Sequence, residues 1–271
     1  MNTMSSWSFI VENITFSFSS VTSFETCKGG WKLNYIDKKD GISNFFAQYG
    51  NLIHDCLEKY FRRELDSFEL SEYYRTTYDT VITASPPTYP AGMADNYREQ
   101  GQDFFDRFFY PIGDYDVLAV EASASFIIPF AGREVKFIAK PDLLLKEKST
   151  GKVFLIDFKT SNPFRKYKDT RVEDKRKTEG YYKQLYVYAH AIRETMGVNV
   201  DVMSLWFPRM DAFLNKTWNE FDELETLNWL KSGIENILAE EDFSYNKSNE
   251  YFCMNLCSVR HLCPMWGGKG D

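Results

Sequence analysis

Lys140-Pro141-Asp142, followed by Ile156-Asp157-Phe158-Lys159-Thr160, is the pair of stretches that decides the fold. Both lie in apolar, largely β-favouring runs, Phe137 to Lys146 and Lys152 to Lys159, with the turn-forming Glu147-Lys148-Ser149-Thr150-Gly151 between them. The simplest local structure is an antiparallel hairpin. Side chains two apart on a strand share a face, so Asp157 and Lys159 project together. A turn centred on Ser149-Thr150 sets Asp142 directly across from Asp157, whereas a pairing slipped by one residue would send it to the opposite face.

Two carboxylates and an ammonium so placed suit a divalent ion. Mg²⁺ or Mn²⁺ takes hard oxygen ligands, which Asp142, Asp157 and the main-chain carbonyl of Phe158 would supply, leaving positions for water and a phosphate oxygen. Lys159 can orient or help deprotonate the attacking water, and can stabilise charge on phosphoryl oxygens. A lone Asp-x-Lys is more often a solvated ion pair. Here Asp157 follows Val153-Phe154-Leu155-Ile156 and Asp142 interrupts another apolar run, so bare charge at either position is costly and a cation relieves the cost. The set implies metal-dependent phosphodiester cleavage.

Three further features stand apart from this pair. His54 lies in Gly50-Asn51-Leu52-Ile53-His54, on a segment whose Phe45, Tyr49, Leu52, Ile53, Cys56, Leu57, Tyr60 and Phe61 recur at helical spacing. Gln184 and Tyr188 fall at i and i+4 and share one helical face. Cys253, Cys257 and Cys263 form a C-x3-C-x5-C-P pattern, with Cys27 far upstream near Trp31 and Tyr35. Four soft thiolates suit iron–sulfur or zinc, the latter with His261 as a substitute ligand. Cys56, beside the apolar stripe of the His54 segment, reads as packing.

Pro141-Asp142 with Asp157-Phe158-Lys159 resembles the PD-(D/E)xK nuclease superfamily. With the other motifs, the chain looks like its RecB-like branch, which holds the nuclease domains of RecB and AddB and the CRISPR-associated iron–sulfur exonucleases. The resemblance implies an α/β, restriction-endonuclease-like fold: a mixed central sheet flanked by helices, a helical lobe, and an iron–sulfur cluster joining N- and C-terminal segments. It implies that His54 reaches the metal, and that Glu121, after Val117-Leu118-Ala119-Val120, is a strand-borne ligand or scaffold. Gln184 and Tyr188 then hold the catalytic Lys159 or touch DNA. The same resemblance gives Cys27, Cys253, Cys257 and Cys263 to a [4Fe-4S] cluster, although the first C-terminal gap is usually two residues in the family and is three here.

A single nuclease domain over residues 1–271 is expected, because 44% hydrophobic content supports a substantial core and both chain ends feed the cluster. Residues 43–115 read as a mostly helical lobe, 117–207 as the catalytic sheet core, and 27 with 253–263 as cluster-binding segments. Phe221, Leu224, Leu227, Leu230, Ile234, Ile237 and Leu238 mark an amphipathic helix leading to the cysteines. No apolar run approaches the ~20 residues that span a bilayer. The N-terminus lacks the pattern of a secretory leader, so a cytoplasmic location with reduced thiols is expected.

A net charge of −7 argues against strong indiscriminate binding to duplex DNA. Local charge runs the other way: Arg165, Lys166, Lys168, Arg171, Lys175, Arg176 and Lys177 crowd the segment between the catalytic strand and the Gln184 helix. That segment reads either as a solvated loop or as a flexible arm that guides single-stranded DNA, with Tyr167, Tyr181 or Tyr182 stacking on bases. The expected function is a metal-dependent deoxyribonuclease, an exonuclease on single strands or ends with endonuclease activity open. The alternative is a DNA-binding or assembly subunit of a recombination, repair or CRISPR adaptation complex. A sequence-specific restriction-type enzyme would leave the cysteines and the Gln-x-x-x-Tyr helix unexplained.

Overall fold

Pro141 divides what reads in sequence as one long strand. It has no N–H to give to a ladder. The computed structural model, which describes residues 14–130, 133–168 and 170–266, ends β3 (Arg133–Ala139) before it and begins β4 (Leu143–Glu147) after it. The expected run from Phe137 to Lys146 is therefore two strands in two sheets. Residues 1–13, on which the reading of no secretory leader rests, lie outside the described residues. The chain forms two compact units. One, here the terminal unit, comprises residues 1–44, 125–139 and 224–271; the other, the sheet unit, comprises 45–124 and 140–223.

The sheet unit is built on five strands in the order β1 (Tyr115–Val120), β4, β5 (Val153–Phe158), β8 (Val202–Phe207) and β9 (Ala212–Thr217). Only β5 and β8 run parallel, and the helix α6 (Lys175–Met196) connects them, as a parallel pair requires. Strands β4 and β5 are buried on both faces, which is why they read as unbroken apolar runs. Leu143, Leu145, Ile156 and Phe158 pack with helices α3 (Phe45–Phe61), α4 (Leu70–Val81) and α5 (Met93–Asp106). Leu144, Val153 and Leu155 face Leu185, Tyr186, Ala189 and Ile192 of α6. This is the expected mixed sheet flanked by helices.

The β4–β5 register, Leu143 opposite Ile156, extends to set Asp142 across from Asp157, as a turn centred on Ser149-Thr150 demands. Gly151 closes that turn at φ 74. Period-2 alternation then gives Asp157 and Lys159 the α6 side of the sheet. Between β5 and α6, the cationic segment is not a loose arm: β6 (Phe164–Tyr167) and β7 (Thr170–Glu173) pair as an antiparallel hairpin. Lys168, just past β6, has φ 51, the left-handed conformation that tight hairpin turns use.

The helix expected from Phe221 onward is α7 (Glu220–Ala239), but its first turns present a different face. Phe221 and Leu224 are exposed, while Glu223 and Thr226 are buried ahead of Leu230, Ile234 and Ile237. The reason is polar. The Glu223 carboxylate accepts from Arg193 Nη1 (3.1 Å) and Trp218 Nε1 (2.5 Å) and lies 3.0 Å from His190 Nδ1.

In the terminal unit, α1 (Phe18–Thr26) opens with a reciprocal cap: Ser17 Oγ accepts the Ser20 N–H and Ser20 Oγ accepts the Ser17 N–H. Cys27 then caps α2 (Lys28–Tyr35) through its sulfur. Trp31 stacks on Tyr35 and Phe243. The strands β2 (Ala124–Phe130) and β3 pair with each other, and Phe16 bridges to Phe137. The last helix is α8 (Glu250–Asn255), followed by two 3-10 turns at Arg260–Leu262 and Pro264–Trp266.

Candidate active site

Asp142 is the hub of the polar groups at the end of β4 and β5. Its Oδ2 accepts the Phe158 N–H at 2.6 Å, its Oδ1 lies 3.3 Å from His54 Nδ1, and its main-chain oxygen accepts the Glu121 N–H at 2.8 Å. His54, borne by α3, also places Nε2 3.0 Å from the Phe158 carbonyl oxygen. Glu121 follows β1 with φ 52, a conformation costly for a residue with a side chain and often kept at functional sites. Arg62 fixes the preceding residue by donating to the Val120 carbonyl at 3.0 Å. Donor atoms of His54, Glu121 and Asp142 lie within 4.8 Å of one another, on an open cleft of about 500 Å³.

Asp157 stands beside that trio. It is 3% exposed, and Lys159 Nζ lies 2.6 Å from its Oδ2. The contact is an ion pair without hydrogen-bond alignment, so this buried oxygen receives no hydrogen bond. The aligned bond from Lys159 Nζ goes to Gln184 Oε1 at 2.8 Å, and Gln184 Nε2 donates in turn to the Tyr188 hydroxyl at 2.7 Å. Lys159 also sits 4.9 Å from the centre of the Tyr181 ring, and Tyr181 meets Ser161 at 2.9 Å.

The electrostatics separate the two aspartates. Burial and the Asp142 charge raise Asp157 to about 6 against the pull of Lys159. Burial opposes ionisation of Asp142 as well, but His54, Lys159 and the Phe158 N–H outweigh it and hold its carboxyl below the ordinary range. Burial would lower His54 and Lys159, yet the aspartates prevail and raise both. Burial and the Asp157 charge push Tyr188 up to about 12, so it remains a neutral phenol. A buried carboxylate that ionises reluctantly, ion-paired to an ammonium and beside a cluster of hard donors, is an arrangement that a divalent cation would stabilise.

The sequence-derived residues thus converge: His54, Glu121, Asp142, Asp157, the Phe158 carbonyl, Lys159, Gln184 and Tyr188 all belong to one end of the sheet unit. Three charged residues that line the cleft, Asp55, Glu58 and Lys140, have no role assigned from the sequence. Lys140 forms an ion pair with Glu121, and Glu58 sits one helical turn beyond His54, a spacing that could have revealed it. Of the seven cations between β5 and the Gln184 helix, Arg165, Lys166, Lys168 and Arg171 ride the β6–β7 hairpin, while Lys175, Arg176 and Lys177 occupy the first turn of α6. Tyr167 is 53% exposed with Arg165 and Lys168 within 6.0 Å of its ring, whereas Tyr181 is engaged by Lys159 and Ser161.

The terminal unit holds a second constellation. Cys27, Cys253, Cys257 and Cys263 line one cavity together with Tyr245, Phe252 and Trp266. Cys27 Sγ accepts N–H bonds from Gly30 and Asn246, each at 3.4 Å. A Cβ on Gly29 would lie 2.5 Å from the Tyr245 ring, so glycine is needed for this wall to close. His261 is exposed and does not line the cavity, which removes the support for it as a substitute ligand. Cys56 is fully buried in the α3 core, as packing requires.

A protein from Eubacterium rectale, described with its crystal structure as a "Putative exonuclease", shares the fold with TM-score 0.51 at 14% identity, covering 100% of both chains. The crystal structure of SSO0001 is also similar at 14% identity, over 91% of this chain and 95% of that one, with TM-score 0.34. No curated protein matches the chain. The family model of the PD-(D/E)XK nuclease superfamily matches residues 15–264. With that match spanning both units, the chain belongs to the PD-(D/E)XK nuclease superfamily.

Proposed function

We propose that this protein is a metal-dependent deoxyribonuclease of the RecB-like branch, acting as an exonuclease on single strands or DNA ends. The observation that carries the reading is the joining of Asp142, Asp157 and Lys159 to His54 and Glu121 on one side and to Gln184 and Tyr188 on the other. His54, Glu121 and Asp142, with Asp157 and the Phe158 carbonyl, would hold Mg²⁺ or Mn²⁺. When bound, such an ion supplies Lewis-acid polarisation of a phosphoryl oxygen and lowers the pKa of a bound water. The chain's own part is positional. Gln184 holds Lys159 Nζ in place, and Lys159, kept charged by the aspartates, is ready to donate to an oxygen on which negative charge builds.

The β6–β7 hairpin and the start of α6 would meet the strand. Three cations in the first turn of a helix oppose its macrodipole, and a phosphate chain is the partner that would offset that cost. Exposed Tyr167 between Arg165 and Lys168 offers a base a stacking surface. The four cysteines would bind a structural [4Fe-4S] cluster. Support comes from their shared cavity and from the Gly30 and Asn246 N–H bonds that hold Cys27 Sγ at its wall.

The test is cleavage of labelled single-stranded and duplex DNA in Mg²⁺ or Mn²⁺. Lys159→Ala should lower the rate by at least ~10³-fold, about what a lost electrostatic stabiliser costs, with the fold unchanged by circular dichroism. Cleavage by Lys159→Ala at the wild-type rate would defeat the proposal.

A further inference from the structure

Glu121 stands between a candidate metal site and an ammonium. One of its carboxylate oxygens belongs to the donor trio with His54 and Asp142, and its Oε2 is ion-paired with the Lys140 ammonium. Of the two partners, the glutamate is the fixed one. Its side chain is 13% exposed and its N–H is bonded to the Asp142 oxygen, whereas the Lys140 side chain is 68% exposed on a flexible stem. An ammonium and a divalent ion on one carboxylate repel each other, and the freer of the two yields.

We propose that Lys140 is a metal-linked phosphate contact. It neutralises Glu121 in the metal-free protein. Displaced when a divalent cation takes that carboxylate, it turns to a phosphate oxygen of the nucleic acid strand in the same cleft. The inference rests on the nuclease reading above. What selects phosphate is the composition of the cleft wall. Among the described residues, Lys140 is the one lysine or arginine that lines it, facing Asp55 and Glu58. Those two acids already have partners: Asp55 accepts from the Tyr73 hydroxyl at 2.7 Å, and Glu58 accepts from Arg62 Nε at 2.8 Å. A released Lys140 therefore finds its strongest new partner in the substrate. By linkage, whatever metal gives to DNA affinity through Lys140, DNA gives back to metal affinity.

Two measurements test this: Mn²⁺ titration by calorimetry, and anisotropy of a labelled single-stranded oligonucleotide in Ca²⁺ and in EDTA. Lys140→Gln should bind Mn²⁺ roughly five- to tenfold more tightly than wild type, the low end of ordinary coupling between sites. Its DNA affinity should gain several-fold less from Ca²⁺, and its salt slope in Ca²⁺ should fall by about 0.7, one phosphate on a single strand. Lys140→Arg, which keeps the charge, should stay near wild type in both. Equal Mn²⁺ affinity in wild type and Lys140→Gln overturns the inference. So does a tighter-binding Lys140→Gln whose DNA affinity gains as much from Ca²⁺ as the wild type's does. The nuclease reading fails separately, if Asp142→Asn binds Mn²⁺ as well as wild type does.

Discussion

The acidic cleft of the sheet unit and the cysteine cavity of the terminal unit are built in opposite ways. In the cleft, regular secondary structure sets the donors: Asp142 is held by the Phe158 N–H, Glu121 by the Asp142 carbonyl, and the Lys159 N–H by Trp206 O of the neighbouring strand. In the cavity, the sulfurs sit at ends and turns. Cys27 is the cap between two short helices, Cys253 rides the six-residue α8, and Cys257 and Cys263 flank a 3-10 turn. Helices that short do not hold themselves together in water. The hard-ligand site is therefore preformed, whereas the cysteine site, on the cluster reading proposed above, would depend on its occupant for order.

The largest effect that would break this contrast is loss of a cysteine. On the cluster reading, Cys27→Ser would open a loop that runs through nearly the whole chain, and the closure entropy forfeited would be about 5 kcal/mol, comparable to the stability of many domains. Anaerobically purified wild type should be brown and Cys27→Ser should not. The variant should also show a separate low-temperature melting step, while Mn²⁺ affinity at the cleft stays within twofold of wild type. If Mn²⁺ affinity collapses together with the colour, the cleft is not preformed and the contrast is wrong.

That same contrast explains what the sequence could disclose. Asp142, Asp157 and Lys159 were legible because a two-residue period, a turn of fixed length and flanking apolar runs fix register and burial locally. Helical spacing placed His54 on an amphipathic helix and Gln184 with Tyr188 on one helical face, but their link to the site came from the resemblance to RecB-like nucleases. Lys140 was not legible, because its partner Glu121 is remote in sequence, just past the end of β1, and a long exposed side chain carries no pattern. The β6–β7 hairpin was hidden for a related reason. Its strands are four residues each, and charges at Arg165, Lys166 and Arg171 mask the alternation that would mark them. The inverted first turns of α7 depended on Glu223 meeting His190, Arg193 and Trp218, a choice made by tertiary neighbours.

Preorganisation has a cost that a milder variant measures. Asp157 keeps its proton to about 6 in the fold against an ordinary 3.8. A carboxyl raised in this way contributes stability below its unfolded value and loses it as pH rises through the folded one. Metal-free wild type should therefore weaken between about pH 4 and pH 6, by an amount on the order of 2–3 kcal/mol. Asp157→Asn has no charge to bury. It should melt higher than metal-free wild type above pH 6 and match it near pH 4, yet gain nothing from added Mg²⁺. A variant less stable than wild type at pH 7 without metal would mean that the charge is well accommodated and the site is not waiting for a cation.

The smallest effect concerns where the strand is held. If the sheet unit carries the nucleic acid, its affinity should respond to the hairpin and not to the cysteines. Replacing Arg165 and Lys166 together by alanine removes two cations from β6 without touching a buried side chain. Single-stranded DNA binding should weaken about tenfold at moderate salt, and the slope of log affinity against log salt should fall by about 1.4, two contacts at the single-strand value. Cleavage at saturating DNA should be unchanged, because neither residue reaches Asp142 or Lys159. Tyr167→Ala separates stacking from charge: it should weaken binding by roughly 1 kcal/mol while leaving the salt slope alone. Should the Cys27→Ser protein instead be the one that loses DNA affinity with a changed slope, the strand runs over the terminal unit, and the division of labour between the two units is reversed.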